Sequence, residues 1–136
     1  MSDNPVERLD QLLELRAKVD VQIEQERARI HALQDAKRAR GIIDAVAGWH
    51  DVEPVALVSK HRGQWVTAAR HVAMWLLREA GLSYPDIGRA LGRDHTSAIY
   101  GVRRVDTTPA LRATALRIQA DLARTIRDGT RDTGAA

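Results

Sequence analysis

Residues 7–40 read ERLDQLLELRAKVDVQIEQERARIHALQDAKRAR, with neither glycine nor proline, and no other feature constrains the fold of this chain as strongly. Positions 9, 12, 16, 19, 23, 26, 30 and 33 advance in alternating steps of three and four. Leu9, Leu12, Val19, Ile23, Ile30 and Leu33 among them are apolar. Helical pitch puts such positions on one stripe. The spacing therefore predicts one long helix within residues 1–40, with a coiled-coil-like seam interrupted by Arg16 and Glu26. A lone helix cannot bury its own apolar stripe. The segment needs a partner: a second copy, another protein, or the remainder of the chain.

Gly41 marks the expected end of that helix, and shorter, punctuated elements follow. IIDAVAGWH reads as a short helix and EPVALVS as another, with Pro54 in its first turn, where a missing N–H costs nothing. KHRGQW is a basic loop. VTAARHVAMWLLREAG is a longer helix with Val66, Ala69, Val72, Ala73, Leu76 and Leu77 on its core face and Gly81 near its end. SYPDIGRALG opens on Ser83 as N-cap with Pro85 inside the first turn, and Gly92 permits a sharp turn into RDHTSAIYGVRR. Leu111, Ala115, Ile118, Leu122 and Ile126 define a last amphipathic helix. No strand pattern or internal repeat occurs. The expected fold is all-α: a long N-terminal helix over 1–40, a compact helical bundle over 41–127, and a frayed tail over 128–136.

Charge separates these regions further. Residues 1–40 carry eight Lys/Arg and eight Asp/Glu, and residues 41–58 carry three acids and no Lys or Arg. Residues 59–104 carry eight bases against three acids, so the net +3 of the chain hides a local basic excess that suits a polyanionic partner. Absence of cysteine excludes disulfides, thiolate metal sites and cysteine nucleophiles. The polar start MSDNPVERLD and the short apolar run VAMWLL predict neither a secretory signal nor a membrane span. A cytoplasmic, nucleoid-associated location is the expectation.

Helix, glycine turn and second helix across 83–104 form a helix-turn-helix pattern, in which the start of the second helix lies nearest the base edges of a DNA major groove. Asp94 can accept from a cytosine amino group, His95 can donate to a purine, and Thr96 offers a hydroxyl and a methyl to thymine. The same residues admit a purely structural reading, with Asp94 as a helix cap and Arg103 and Arg104 complementing the helix dipole. Ala98 and Gly101 leave one face of the helix without bulk, which permits close approach either of DNA or of a neighbouring helix.

The run HDVEPVALVSKHRGQWVTAARHVAMWLLREAGLSYPDIGRALGRDHTSAIYGVRRVD resembles the C-terminal DNA-binding domain of the DnaA family of bacterial replication initiators. RDHT is its most specific element, and the similarity extends over about residues 41–127. The resemblance implies a helical domain on duplex DNA, with Asp94, His95, Thr96 and Ser97 at or near bases and Arg62 in the adjacent minor groove. Lys60, Arg70, Arg78, Arg93, Arg103 and Arg104 are the implied supporting or phosphate contacts, and Pro85 approaches the backbone and bases. The family commonly has two glycines before RDHT. Here only Gly92 stands there, which predicts a shorter turn. Gln64, Ala68 and Ala69 occupy positions that are often basic or proline in the family.

No GxxxxGK[ST] motif occurs among the 136 residues, so ATP-driven chemistry is not expected, and the architecture resembles a small phage or mobile-element DNA-binding protein. The five histidines (31, 50, 61, 71 and 95) form no HExxH or comparable ligand set. Ser59, Ser83 and Ser97 lie in no nucleophile-elbow sequence. Trp49, Trp65 and Trp75 suit core or core-edge positions, with only Trp65 placed to touch a sugar or phosphate. Neither enzyme activity nor a cofactor is expected. The resulting expectation is sequence-specific duplex-DNA binding in replication or transcription control, through a helix-turn-helix and a basic loop. The competing one is a helical protein–protein adaptor whose helix-turn-helix is only structural; under either, residues 1–40 are the candidate surface for a homodimer or a protein partner.

Overall fold

The computed structural model describes residues 4–60 and 62–135, with side chains described through residue 127. Six helices succeed one another: α1 (Pro5–His50), α2 (Pro54–Val58), α3 (Gln64–Glu79), α4 (Tyr84–Ala90), α5 (His95–Thr107) and α6 (Pro109–Ala135). No strand occurs among the described residues. The all-α expectation holds, including a long N-terminal helix and a helix-turn-helix. The chain divides into two compact units, Met1–Ala36 and Lys37–Ala136.

In the first unit the helix is exposed over nearly all described residues, Leu9, Leu12, Val19, Ile23, Ile30 and Leu33 among them. Exposed i,i+3 ion pairs decorate it, Arg27 with Glu24 at 3.3 Å and Arg29 with Glu26 at 2.8 Å.

The second unit is built around α3. Val66, Ala69, Val72, Ala73, Leu76 and Leu77, the expected core face, are all buried, joined by Met74 and Trp75. Leu57 of α2, Ile87 of α4, Ala98, Val102 and Val105 of α5, and Ala115 and Ile118 of α6 complete one continuous core. Burying the Val, Leu, Ile and Met side chains among these contributes about 1.5–3 kcal/mol each, which makes α3 the scaffold for every element around it.

Gly41 does not end a helix. α1 runs through it to His50 because Ala39, Ile42, Ile43, Val46, Ala47 and His50 continue an apolar stripe at three- and four-residue spacing and are buried. A mid-helix glycine costs only about 1 kcal/mol, which that burial exceeds. IIDAVAGWH is thus the last part of α1 rather than a separate helix. α6 likewise continues through residues 128–135, where a frayed tail was expected. That stretch contains glycine but no proline, so nothing in it forbids helix. Ile126, assigned to the core face, is exposed, because the α6 stripe outruns the elements it covers.

Candidate nucleic-acid interface

α4 and α5 are separated by a turn whose geometry follows from its caps. Ser83 Oγ accepts from the Asp86 N–H at 3.2 Å and starts α4. Asp94 Oδ1 accepts from the Ser97 N–H at 2.7 Å and starts α5. Between them Gly92 adopts φ +63°, a conformation that side-chain-bearing residues avoid. A Cβ there would lie 2.9 Å from the Val58 carbonyl oxygen, so the turn packs directly on the end of α2. The cap answers part of the question posed by RDHT. Hydrogen bonds from Ser97 hold the Asp94 carboxyl below the usual carboxylate range.

The face of α5 that lacks bulk is not left for DNA. Ala98 and Gly101 are buried with Val102 and Val105, and Gly101 lies against Met74 and His71 of α3. His95, Thr96, Tyr100, Arg103 and Arg104 are exposed instead. Thr96, Tyr100 and Arg103 follow one another at i, i+4 and i+7, on one side of the helix. The Tyr100 ring meets that of His71 edge-on, with centroids 5.6 Å apart.

The expected arginines fall into two groups. Arg62, Arg103 and Arg104 are exposed with no side-chain hydrogen bond or ion pair among the described residues, and exposed Lys60 is like them. Arg70, Arg78 and Arg93 point to protein groups. Arg70 is buried and donates to the carbonyls of Leu57 (2.9 Å), Ala56 (3.3 Å) and Ser59 (3.4 Å). Burial, then the neighbouring Arg93 guanidinium, lowers its pKa from the ordinary arginine value. Arg93 donates to Ser59 O at 2.6 Å and to Gly92 O at 3.1 Å. Arg78 donates to Leu82 O at 3.1 Å and stacks its guanidinium 4.3 Å from the Tyr84 ring centroid. Arg70 thus donates through Nε and Nη2 to the carbonyls at the end of α2 and tethers that end to α3. Arg78 and Arg93 are first of all struts.

The struts set the basic loop beside the helix-turn-helix. Ser59 O receives both Arg70 and Arg93, so the backbone next to Lys60 is tied to the turn that precedes His95 and Thr96. Pro85 is exposed in the first turn of α4, and Ser97, half-buried, contributes its N–H to the Asp94 cap. Trp65 is exposed, but its Nε1 donates to the His50 carbonyl and its ring meets the His50 ring edge-on, which ties it to the end of α1. Trp75 is buried, with Nε1 donating to Asp106 at 2.9 Å. His61 lies outside the described residues. Among the described residues no cluster of metal-ligating side chains occurs, and no helix is long and apolar enough to cross a membrane.

Comparison with known proteins agrees with this geometry. Residues 39–105 match the family model described as the bacterial DnaA protein helix-turn-helix. The chain is 42% identical over 64 residues to the chromosomal replication initiator protein DnaA of Dechloromonas aromatica, covering 46% of this chain and 14% of that one. It is 39% identical over 80 residues to the DnaA of Caulobacter vibrioides, covering 57% and 16%. The chain thus spans about a sixth or less of the length of these relatives. A solved structure of a DNA replication initiation factor superposes with a TM-score of 0.63 over 88% of this chain and 37% of the other, at 22% identity, a likeness of fold. Residues 39–105 thus resemble the bacterial DnaA helix-turn-helix family, over about half of the chain.

Proposed function

We propose that this DnaA-type domain binds duplex DNA in a sequence-specific manner, with the start of α5 in the major groove and the loop at 60–62 in the adjacent minor groove. His95 and Thr96 read base edges there, Asp94 caps the helix that presents them, and Arg62 enters the minor groove, where narrow A/T-rich stretches concentrate negative potential. Lys60, Arg103 and Arg104 hold phosphates. Arg70, Arg78 and Arg93 fix the relative placement of loop and helix, and Pro85 gives α4 its approach to the backbone. The process served is replication or transcription control in the bacterial cytoplasm, by binding and without catalysis.

The observation that carries this reading is the shared Ser59 carbonyl. It couples a loop with unpaired cations to a helix start with unpaired polar side chains, so two groove-directed elements move as one body. Preorganisation of this kind reduces the ordering cost of binding. Selection of bound sequences from a random duplex pool tests it. One enriched motif is expected with the wild-type chain and a degraded motif with Thr96→Ala. Enrichment of no motif by the wild type would refute sequence-specific reading.

A further inference from the structure

The exposed seam of α1 carries two charged residues that a simple coiled coil would not tolerate. Assigned to a heptad, Leu9, Arg16, Ile23 and Ile30 take position a, while Leu12, Val19, Glu26 and Leu33 take position d. The run ends where the heptad next demands Pro5 at one side and Lys37 at the other. All eight seam side chains are exposed, the six apolar ones by 43–71%.

Two copies can meet along this seam in two ways. A parallel, in-register pair sets each residue against itself, so Arg16 faces Arg16 and Glu26 faces Glu26 in the middle of an apolar interface, and like charges there are costly. An antiparallel pair centred on Val21 sets each a residue against a d residue of the other copy. Leu9 then meets Leu33, Leu12 meets Ile30, and Val19 meets Ile23. Arg16 meets Glu26, twice by symmetry. Every apolar position finds an apolar partner and both charges find their opposites.

The flanks agree. The same register sets Leu13 against Arg27 and Leu15 against Arg29 of the other copy, where aliphatic arginine stems cover the leucines while the guanidinium groups stay in water. Both arginines are already drawn along their own helix by Glu24 and Glu26. We propose that residues 9–33 form an antiparallel homodimer, with Arg16 of each copy facing Glu26 of the second copy. This inference does not depend on DNA binding. The paired segments overlap by about 36 Å at 1.5 Å per residue.

Sedimentation of the full-length chain at micromolar concentrations tests the pairing, and charge swaps test its direction. The wild type should sediment as a dimer. Arg16→Glu and Glu26→Arg, each alone, should weaken dimerisation about 100-fold or more by leaving like charges paired in the interface, and the double swap Arg16→Glu/Glu26→Arg should restore it. Because the chain has no cysteine, Leu12→Cys mixed with Ile30→Cys should give a disulfide-linked heterodimer, and Leu12→Cys alone should not link. Circular dichroism of each variant separates loss of pairing from loss of folding. A monomeric wild type, a double swap that fails to dimerise while remaining helical, or efficient linkage of Leu12→Cys to itself would overturn the proposal.

Discussion

Arg93 Nη2 donates to the Ser59 carbonyl oxygen at 2.6 Å across 34 residues of chain. The bond joins the turn of the helix-turn-helix to the basic loop, and under the proposed binding mode Arg93 serves to position the two. A positioning arginine and a phosphate-binding arginine give different signatures. Arg93→Gln should lower stability by about 1–2 kcal/mol, the usual worth of a part-buried charged hydrogen bond, and weaken binding to the preferred site. The slope of log K against log salt should stay unchanged. A slope lowered by about 0.9 would instead put the guanidinium on a phosphate.

Arg103 and Arg104 should do the opposite. Exposed on α5, with no ion pair among the described residues, they are expected to contribute on every sequence alike. Each alanine variant should lower affinity for specific and random duplexes equally and reduce the salt slope by about 0.9. Thermal stability should be nearly unaffected. Affinities measured across a salt series on both duplexes decide the matter.

Thr96 and His95 should separate the two duplexes. Each alanine variant is expected to cost about 1–3 kcal/mol per lost base contact on the preferred site and little on random DNA. Equal losses on both duplexes would remove these side chains from sequence reading. Asp94→Ala differs again. The carboxylate caps α5, so its loss should lower stability by about 1 kcal/mol along with affinity, whereas Asp94→Asn should preserve the cap.

Two glycines predict opposite tolerances. A Cβ at Gly88 would lie 2.5 Å from the Arg93 carbonyl oxygen, a backbone atom that cannot swing away. At Gly101 the Cβ would press on the Met74 thioether, a flexible side chain that can repack. Gly88→Ala should therefore destabilise by about 2 kcal/mol or more. Gly101→Ala should come out nearer neutral, because the gain of about 1 kcal/mol in helix propensity offsets part of the strain. Denaturant midpoints of the two variants test the order.

The caps, turns and core face of the second unit were legible because each is a local event. Ser83 and Asp94 cap through bonds three residues away, Gly92 supplies a positive φ, and the α3 stripe follows from period alone. The arginines were not. Nothing in the residue types distinguishes Arg70, spent on three carbonyls at the end of α2, from Arg62, which is exposed. That difference depends on where α2 ends in space, a tertiary fact. Gly41 misled for the same reason: its propensity argued for a break, and burial of Ile42, Ile43 and Val46 outweighed it. The seam over 9–33 was legible as a stripe, with its charged positions marked as interruptions.

His71 gives the fold a pH dependence of known sign. It lies half-buried on α3, with Tyr100 and Arg104 of α5 and Arg70 of its own helix as polar neighbours. Burial first, then Arg70 and Arg104, pushes its pKa below the ordinary 6.5. The unfolded chain therefore binds a proton at a pH where the folded chain does not. Stability from neutral His71 is fully present above 6.5 and is lost as pH falls below that value toward the lower folded pKa. Asp94 cannot produce the same loss, since stability from its depressed pKa is fully present above 3.8 and is lost only below that value. Denaturant midpoints should fall between about pH 7.5 and about pH 5.5 in the wild type and change much less in His71→Gln. DNA should shift the effect under the proposed binding mode. A phosphate held by Arg104 offsets that cation's repulsion of a protonated His71, so binding raises the His71 pKa. The specific affinity should then rise modestly as pH falls through this window, and His71→Gln should abolish the rise. An affinity rise that persists in His71→Gln would assign it to another group.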